Sequence, residues 1–225
     1  MKHVVTVKRR ALAANDQTAD DLRQRFADSG TLVVNLISSP GSGKTTLLEA
    51  TLGRLPDDIE VAVIEGDVAT ERDADRIRAH GVRAHQILTA GACHLDARQI
   101  GDALATVDLL PADILFIENV GNLICPPSYD LGEDFKVALV STTEGDDKPF
   151  KYPALFSRAE LTLVTKADLL PHLSFDLEGV HEYLGTLNPG GTVITTSATT
   201  GDGLDAWVRY LLDHLEAKRA GTASA

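Results

Sequence analysis

Two chemistries meet within a short stretch of this chain. The run Ile114-Leu115-Phe116-Ile117-Glu118-Asn119-Val120-Gly121-Asn122-Leu123-Ile124-Cys125-Pro126-Pro127 begins as an apolar strand, ends in a carboxylate and a turn glycine, and then presents a thiol. An apolar run emptying into Glu118 and Gly121 suits a loop that senses Mg2+ and the terminal phosphate of a nucleotide. Cys125 follows Gly121 by four residues, and the two prolines after it fix the backbone just beyond the sulfur. A loop that moves with the phosphate carries Cys125 with it. Nucleotide state and metal binding are therefore expected to be coupled.

The nucleotide site this requires lies upstream, in Leu32-Val33-Val34-Asn35-Leu36-Ile37-Ser38-Ser39-Pro40-Gly41-Ser42-Gly43-Lys44-Thr45-Thr46. An apolar strand enters a glycine loop and leaves it as a helix. The loop N–H groups, from Gly41 through Ser42 and Gly43 to Thr46, then face phosphate oxygens at the positive end of that helix. Lys44 reaches the β- and γ-phosphates, and Thr45 offers its hydroxyl to Mg2+. The pattern asks for glycine where Ser38 stands, but Gly41 and Gly43 keep the freedom that close backbone approach needs. In Val63-Ile64-Glu65-Gly66-Asp67, Asp67 is the expected switch carboxylate, meeting Mg2+ directly or through water. Glu71 and Asp73 are expected in the acidic first turn of the next helix. Lys44, Asp67 and Glu118 would act by position and charge, and with no glutamine or arginine finger to assign, turnover is expected to be slow.

Cys93 and His94 form the second candidate centre. They lie just past a short strand and near a helix start, where the dipole favours a thiolate. Thiolate and imidazole suit Zn2+ or Ni2+ better than Mg2+. An adjacent Cys-His pair alone is weak evidence, but the only other cysteine in the chain is Cys125. Three ligands are one short of a closed tetrahedral site, so water or a second copy of the chain must complete it. His3, His80, His85, His172, His181 and His214 are scattered and read as surface or satisfied residues.

Base identity is expected from Leu161-Thr162-Leu163-Val164-Thr165-Lys166-Ala167-Asp168, which resembles the Asn-Lys-x-Asp motif of GTPases. Asp168 would accept from guanine N1–H and N2–H, a donor pair adenine lacks. Thr165 replaces the usual asparagine, so a brace to the phosphate loop is either lost or supplied by a hydroxyl, and weaker binding or looser specificity is expected. Ser197-Ala198 resembles the loop that contacts guanine O6.

The chain has 225 residues, 44% of them hydrophobic, and a net charge of −12. That is enough for one domain, and the charge argues against nucleic acid and anionic membranes. No long apolar run and no signal-peptide core are visible, and a reducing cytosol leaves both cysteines as thiols. Strands near 32–37, 60–65, 84–88, 114–118, 136–141, 161–165 and 192–196 alternate with helices near 45–54, 71–79, 94–105, 175–187 and 205–217. This order predicts a doubly wound, mostly parallel α/β sheet over residues 1–225. A helical extension (about 1–30), its helix beginning at Asn15-Asp16, and a frayed tail (about 218–225) flank it.

Taken together, Ser38-Ser-Pro-Gly-Ser-Gly-Lys-Thr-Thr46, Glu65-Gly-Asp67, Ala92-Cys-His-Leu-Asp-Ala97, Glu118-Asn-Val-Gly-Asn-Leu-Ile-Cys-Pro126 and Thr143-Glu-Gly-Asp-Asp-Lys-Pro-Phe-Lys-Tyr-Pro153 resemble the HypB family, the nickel-insertion GTPases of NiFe-hydrogenase maturation. The resemblance covers nearly the whole chain. It implies a SIMIBI-type P-loop GTPase fold, a cytoplasmic homodimer, a switch run by GTP/GDP and Mg2+, and a Ni2+ or Zn2+ site at the dimer interface built on Cys93, His94 and Cys125. It also implies a hydrogenase maturation partner, a hydrogenase large subunit as acceptor, and a role for Lys148 or Lys151 at the nucleotide or across the dimer. Other readings stand beside it. A urease nickel GTPase would carry a Cys-Pro-His-type motif where this chain has Cys125-Pro126-Pro127, and a partition-type ATPase would carry an extra early lysine in the phosphate loop. A zinc-stabilised binding module would hold nucleotide without turnover, and a small-molecule kinase would need an arginine-rich lid.

Overall fold

The computed structural model describes residues 2–67 and 72–222, with the backbone alone at 2–11 and 222. Seven parallel strands form one sheet in the order β3-β2-β4-β1-β5-β6-β7. They are β1 (Leu32–Ser38), β2 (Val61–Asp67), β3 (Arg83–Leu88), β4 (Ile114–Glu118), β5 (Phe135–Ser141), β6 (Leu161–Thr165) and β7 (Thr192–Thr195). Every residue of β1, β4 and β6 is buried. That is why these strands read as continuous apolar runs rather than alternating ones: helices cover both faces of the sheet.

One face carries α2 (Lys44–Leu52), α3 (Arg72–Arg78) and α8 (Leu204–Thr222). Leu47, Leu48, Ile77, Trp207 and Leu211 pack there on Leu32, Val34, Val63 and Phe116. The opposite face carries α1 (Lys2–Ser29) and α4 (Ala97–Thr106), with Leu22, Phe26 and Ile100 against Val33, Ile64 and Ile117. The strand period of two sends neighbouring residues to opposite cores. Further along, α6 (Pro153–Phe156) and α7 (Leu177–Leu187) cover Ile37, Ala138 and Val164, after the short α5 (Lys148–Lys151). Trp207 is fully buried and donates its ring N–H to Thr51 Oγ1 at 2.9 Å, so its polar atom is satisfied inside the core.

Three expectations are corrected. The N-terminal helix starts at Lys2, not at Asn15. Asn15 sits inside it, buried, accepting from the Ala97 N–H at 2.9 Å and donating to the Asp130 carbonyl at 2.8 Å, so a residue type that usually starts a helix braces the start of another. The expected frayed tail is helical through residue 222, held by Lys218 to Asp134 at 2.6 Å and by Arg219 to Asp113. Residues 223–225 lie outside the described residues, as do Thr70, Glu71 and the side chain of His3. Finally, α4 begins at Ala97, not at 94. Its N-terminus is closed by the Asp96 carboxylate and a reciprocal Gln99 side chain, so the helix end is not turned on the Cys93 thiol. Asp73 lies in the first turn of α3, as expected. No helix among the described residues is long and apolar enough to cross a membrane.

Candidate nucleotide cleft and metal centre

The C-terminal ends of β1, β2 and β4 open into a cleft of about 490 Å³, lined among others by Gly41, Gly43, Lys44, Thr45, Asp67 and Glu118. Ligands of open α/β sheets bind at this edge. Gly43 adopts φ 91° and Gly41 φ 78°, left-handed values that L side chains resist, and Gly43 stands directly before the first turn of α2. Ser38 does not need that freedom. It ends β1, and its hydroxyl accepts from Lys44 Nζ at 3.0 Å, so the departure from glycine becomes a rest position for the lysine. A Cβ on Gly121 would come within 2.9 Å of the Pro40 backbone. The segment after β4 therefore lies directly against the phosphate loop.

Thr45 donates its hydroxyl to Glu118 Oε1 at 3.1 Å, and Lys44 Nζ stands 3.8 Å from the same oxygen. Burial raises the Glu118 carboxyl above the ordinary range, and the charge of Lys44 opposes that rise. Glu65 is raised too, by burial first and by the charge of Glu118 second. Glu65 and Glu118 lie within hydrogen-bonding reach of each other, so a proton can be shared between the two acids, and no other group partners Glu65 Oε1 or Glu118 Oε2. These residues fit a hydrated divalent cation: a hydroxyl, carboxylates and unsatisfied buried oxygens converge where phosphates would lie.

A second pocket of about 300 Å³ adjoins the first and is lined by Ser42, Gly43, Thr46, Thr165, Lys166, Asp168 and Ala198, among others. Lys166 holds φ 59°, rare for a side chain of this size. Its Nζ donates to the Gly41 carbonyl at 2.7 Å and its stem lies against the phosphate loop. The Asp168 carboxylate accepts from Ser197 Oγ at 2.5 Å. Ser197 is fully buried and also receives the Thr199 and Thr200 N–H groups, so it aims Asp168 while Ala198 lines the pocket. Thr165 settles the expected missing brace: its hydroxyl donates to the Ser42 carbonyl at 2.8 Å, so the tie to the phosphate loop is kept by a shorter side chain.

The ligand atoms of Cys93, His94 and Cys125 lie within 4.8 Å of one another, and Cys93 Sγ is 3.6 Å from His94 Nδ1. Donors on a tetrahedral Zn2+ would stand about 3–4 Å apart, so a contraction of ångström size closes the set. Burial lowers the His94 pKa, keeping the imidazole neutral as a ligand must be. Its ring stacks on Tyr129 with centroids 3.8 Å apart. The Leu95 N–H donates to Asn119 Oδ1 at 3.1 Å, and Asn122 Nδ2 donates to the Cys93 carbonyl at 3.2 Å. The loop bearing Cys93 and His94 is thus tied on both sides to the segment that runs from Glu118 to Cys125.

A family model described as CobW/HypB/UreG, nucleotide-binding domain, matches residues 32–195. Hydrogenase maturation factor HypB of Escherichia coli strain K12 is 51% identical over 210 residues, spanning 93% of this chain and 72% of that protein. The chain belongs to the HypB family. The crystal structure of HypB from Helicobacter pylori in complex with nickel is similar with a TM-score of 0.86 at 41% identity, covering 93% of this chain and 97% of that one. Hydrogenase maturation factor HypB from Archaeoglobus fulgidus gives a TM-score of 0.85 at 38% identity, covering 91% and 100%.

Within this HypB-family chain, the expected nucleotide and metal residues fall into the two joined pockets and the metal cluster, except Ser197, which lies behind Asp168, and the two lysines that the resemblance implied. Lys151 pairs with Asp147, and Lys148 lies 5.8 Å from the Tyr152 ring centre; neither lines either pocket. His181 and His214 are satisfied, by Thr195 Oγ1 at 3.1 Å and by the Tyr210 carbonyl at 2.8 Å. Sequence reading gave no separate role to Glu65, Asn119, Asn122 and Glu144, although all four stand in motifs it singled out, and it passed over Tyr129. Glu144 receives Ser42 Oγ at 2.9 Å and the Ser141 N–H at 3.1 Å, fixing the far side of the loop. Glu65 also carried a signal of its own, as a charge directly after an apolar run.

Proposed function

We propose that this protein is a GTP-hydrolysing nickel metallochaperone that binds metal according to nucleotide state and delivers nickel during NiFe-hydrogenase maturation. The observation that carries the reading is the convergence of Cys93, His94 and Cys125 on the segment that begins at Glu118 beside the phosphate loop. Membership of the HypB family supports it, as does the nickel complex of the Helicobacter pylori relative. Lys44 and the loop N–H groups bind the phosphates, while Asp168, aimed by Ser197, reads guanine. Thr45 and Asp67 would hold Mg2+ with Glu118 close by. That ion would neutralise charge on the departing phosphate. Glu118 and Lys44 orient the groups around it, and slow turnover suits a switch. The protein acts in the cytoplasm as a homodimer, whose second copy completes the metal ligands across the interface. A role for Lys148 or Lys151 belongs to that interface. A maturation partner and the hydrogenase large subunit complete the route of the nickel, and neither nucleic acid nor membrane takes part. Residues 1–225 act as one GTPase domain.

Purified Cys93→Ala and Cys125→Ala proteins are expected to lose stoichiometric Ni2+ or Zn2+ in metal analysis while still binding GDP. Wild-type metal content in both variants would leave the centre without its proposed ligands. Asp168→Ala is expected to lose about 1–3 kcal/mol of guanine-over-adenine discrimination in competition binding. Equal competition by ATP and GTP against the unaltered protein would remove the guanine reading.

A further inference from the structure

One row of polar side chains leads from the cleft across the sheet, and two of its three members, Glu65 and Gln86, have no task in the reaction as described. Parallel pairing sets Glu118 of β4 opposite Glu65 of β2, and Glu65 opposite Gln86 of β3. Side chains in register on parallel strands share a face. Val63 and Phe116 stand two residues earlier on the same strands and pack against α2, so the row points toward the start of α2, where the phosphate loop lies. All three residues are buried, at 6%, 2% and 8% exposure. Glu65 Oε1, Gln86 Oε1 and Glu118 Oε2 are the buried side-chain oxygens without a hydrogen-bond partner among the described residues. They belong to one row.

Such a row is costly. Two acids facing each other across a strand pair oppose folding unless they share a proton, and each unsatisfied buried acceptor forfeits the hydrogen bond it had in water. Apolar residues would avoid both costs. Gln86 donates its amide to the Glu65 carbonyl at 3.1 Å, and its oxygen is left without a partner. These oxygens call for donors beyond the one proton the two acids can share, and the cleft wall formed by Glu65, Asp67, Thr45 and Glu118 is where a hydrated cation would supply them. Mg2+ binds few protein ligands and keeps several waters, which donate strongly.

We propose that Glu65 is a positioning residue whose carboxyl, in register with Glu118 and Gln86 and with no side-chain partner besides the neighbouring acid, holds the water shell of the divalent cation that accompanies the nucleotide. It acts through those waters and not by touching phosphate. The inference rests on the nucleotide reading above and assigns a task to a residue outside it.

The test is a fluorescent-GDP titration with excess Mg2+ and again with a chelator, using the unaltered protein, Glu65→Leu and Glu65→Gln, with melting curves of each nucleotide-free form. The ratio of the two affinities reads the cation alone. Glu65→Leu is expected to lose about tenfold or more of the Mg2+ enhancement, while binding GDP no more weakly under chelator and melting no lower. Glu65→Gln keeps an acceptor oxygen and is expected within about threefold of wild type. A full Mg2+ enhancement in Glu65→Leu overturns the proposal. So does a loss that comes only with weaker chelator-independent binding and a lower melting point, which marks a structural role. No Mg2+ enhancement in the unaltered protein would overturn the nucleotide reading as well, so the two failures are distinguishable.

Discussion

Lys44→Ala is expected to abolish measurable GTP hydrolysis and to weaken GDP binding by roughly tenfold to a hundredfold, the worth of a charge-assisted hydrogen bond to phosphate. Hydrolysis falls further than binding, by at least about 10²-fold, because the charge it offsets grows as the phosphate departs. The geometry makes this lysine hard to replace. It is buried, rests on Ser38 Oγ at 3.0 Å, and stands 3.8 Å from Glu118 Oε1. Calorimetric GDP titration and a phosphate-release assay check the two effects, and an unchanged hydrolysis rate would take the loop out of the mechanism. Stability gives a separate sign. Glu65 and Glu118 both have pKa values raised above the ordinary 4.5 by burial. A carboxyl raised on folding favours the folded state while protonated; that contribution is complete below 4.5 and is lost as pH climbs toward the raised value. Lys44 opposes the rise at Glu118. Removing it should therefore steepen the fall in melting temperature with rising pH, and parallel pH profiles for the two proteins would contradict this account.

Metal affinity is expected to differ between the GDP-bound protein and the protein holding a nonhydrolysable GTP analogue by roughly 5- to 150-fold, the usual range of coupling between sites. The path is short. Glu118, next to Thr45 in the cleft, is followed by Asn119, whose Oδ1 accepts from the Leu95 N–H at 3.1 Å and from the Val120 N–H at 3.0 Å. Asn122 then donates to the Cys93 carbonyl at 3.2 Å and accepts from the Ile124 N–H at 2.8 Å. A shift of the segment after β4 thus pulls on the backbone at both ends of the Cys93-His94 pair, besides carrying Cys125. Asn122→Ala cuts one of these ties at a half-buried position and is expected to shrink the ratio of metal affinities in the two nucleotide states several-fold, leaving GDP affinity unchanged. Equal metal affinities in the unaltered protein would remove the coupling; a wild-type ratio in Asn122→Ala would spare it and remove this tie.

The elements were legible where periodicity is strong. Continuous apolar runs gave the central strands β1, β4 and β6 because a parallel sheet buried on both faces leaves no polar face to interrupt them, whereas the half-buried edge strands β3 and β7 followed from the alternation of strands with helices. The short turns of helix at Lys148–Lys151 and Pro153–Phe156 carry too few residues for any period to register. Asn15 misled for a definite reason. Its side chain can bond backbone N–H groups locally, as a cap does, or at a distance, and only packing of α1 on α4 decides that it serves Ala97. The Lys218 region misled in the reverse way, since ion pairs to Asp134 and Asp113, remote in sequence, hold a stretch whose local composition looks loose.

By itself the sequence determined the phosphate loop, the carboxylate-to-glycine segment after β4, the Lys166-Ala167-Asp168 turn, and the three candidate metal-ligating side chains, because each depends on residue type at short spacing. Tertiary structure decided what those groups face. It brought Cys125 to within 4.8 Å of Cys93 and His94, replaced a missing asparagine brace by the Thr165 hydroxyl, and set Glu65 beside Glu118 in register. These are contacts between strands and loops far apart along the chain. Their partners are chosen by strand order and register, which arise when the sheet closes, and no local pattern encodes them.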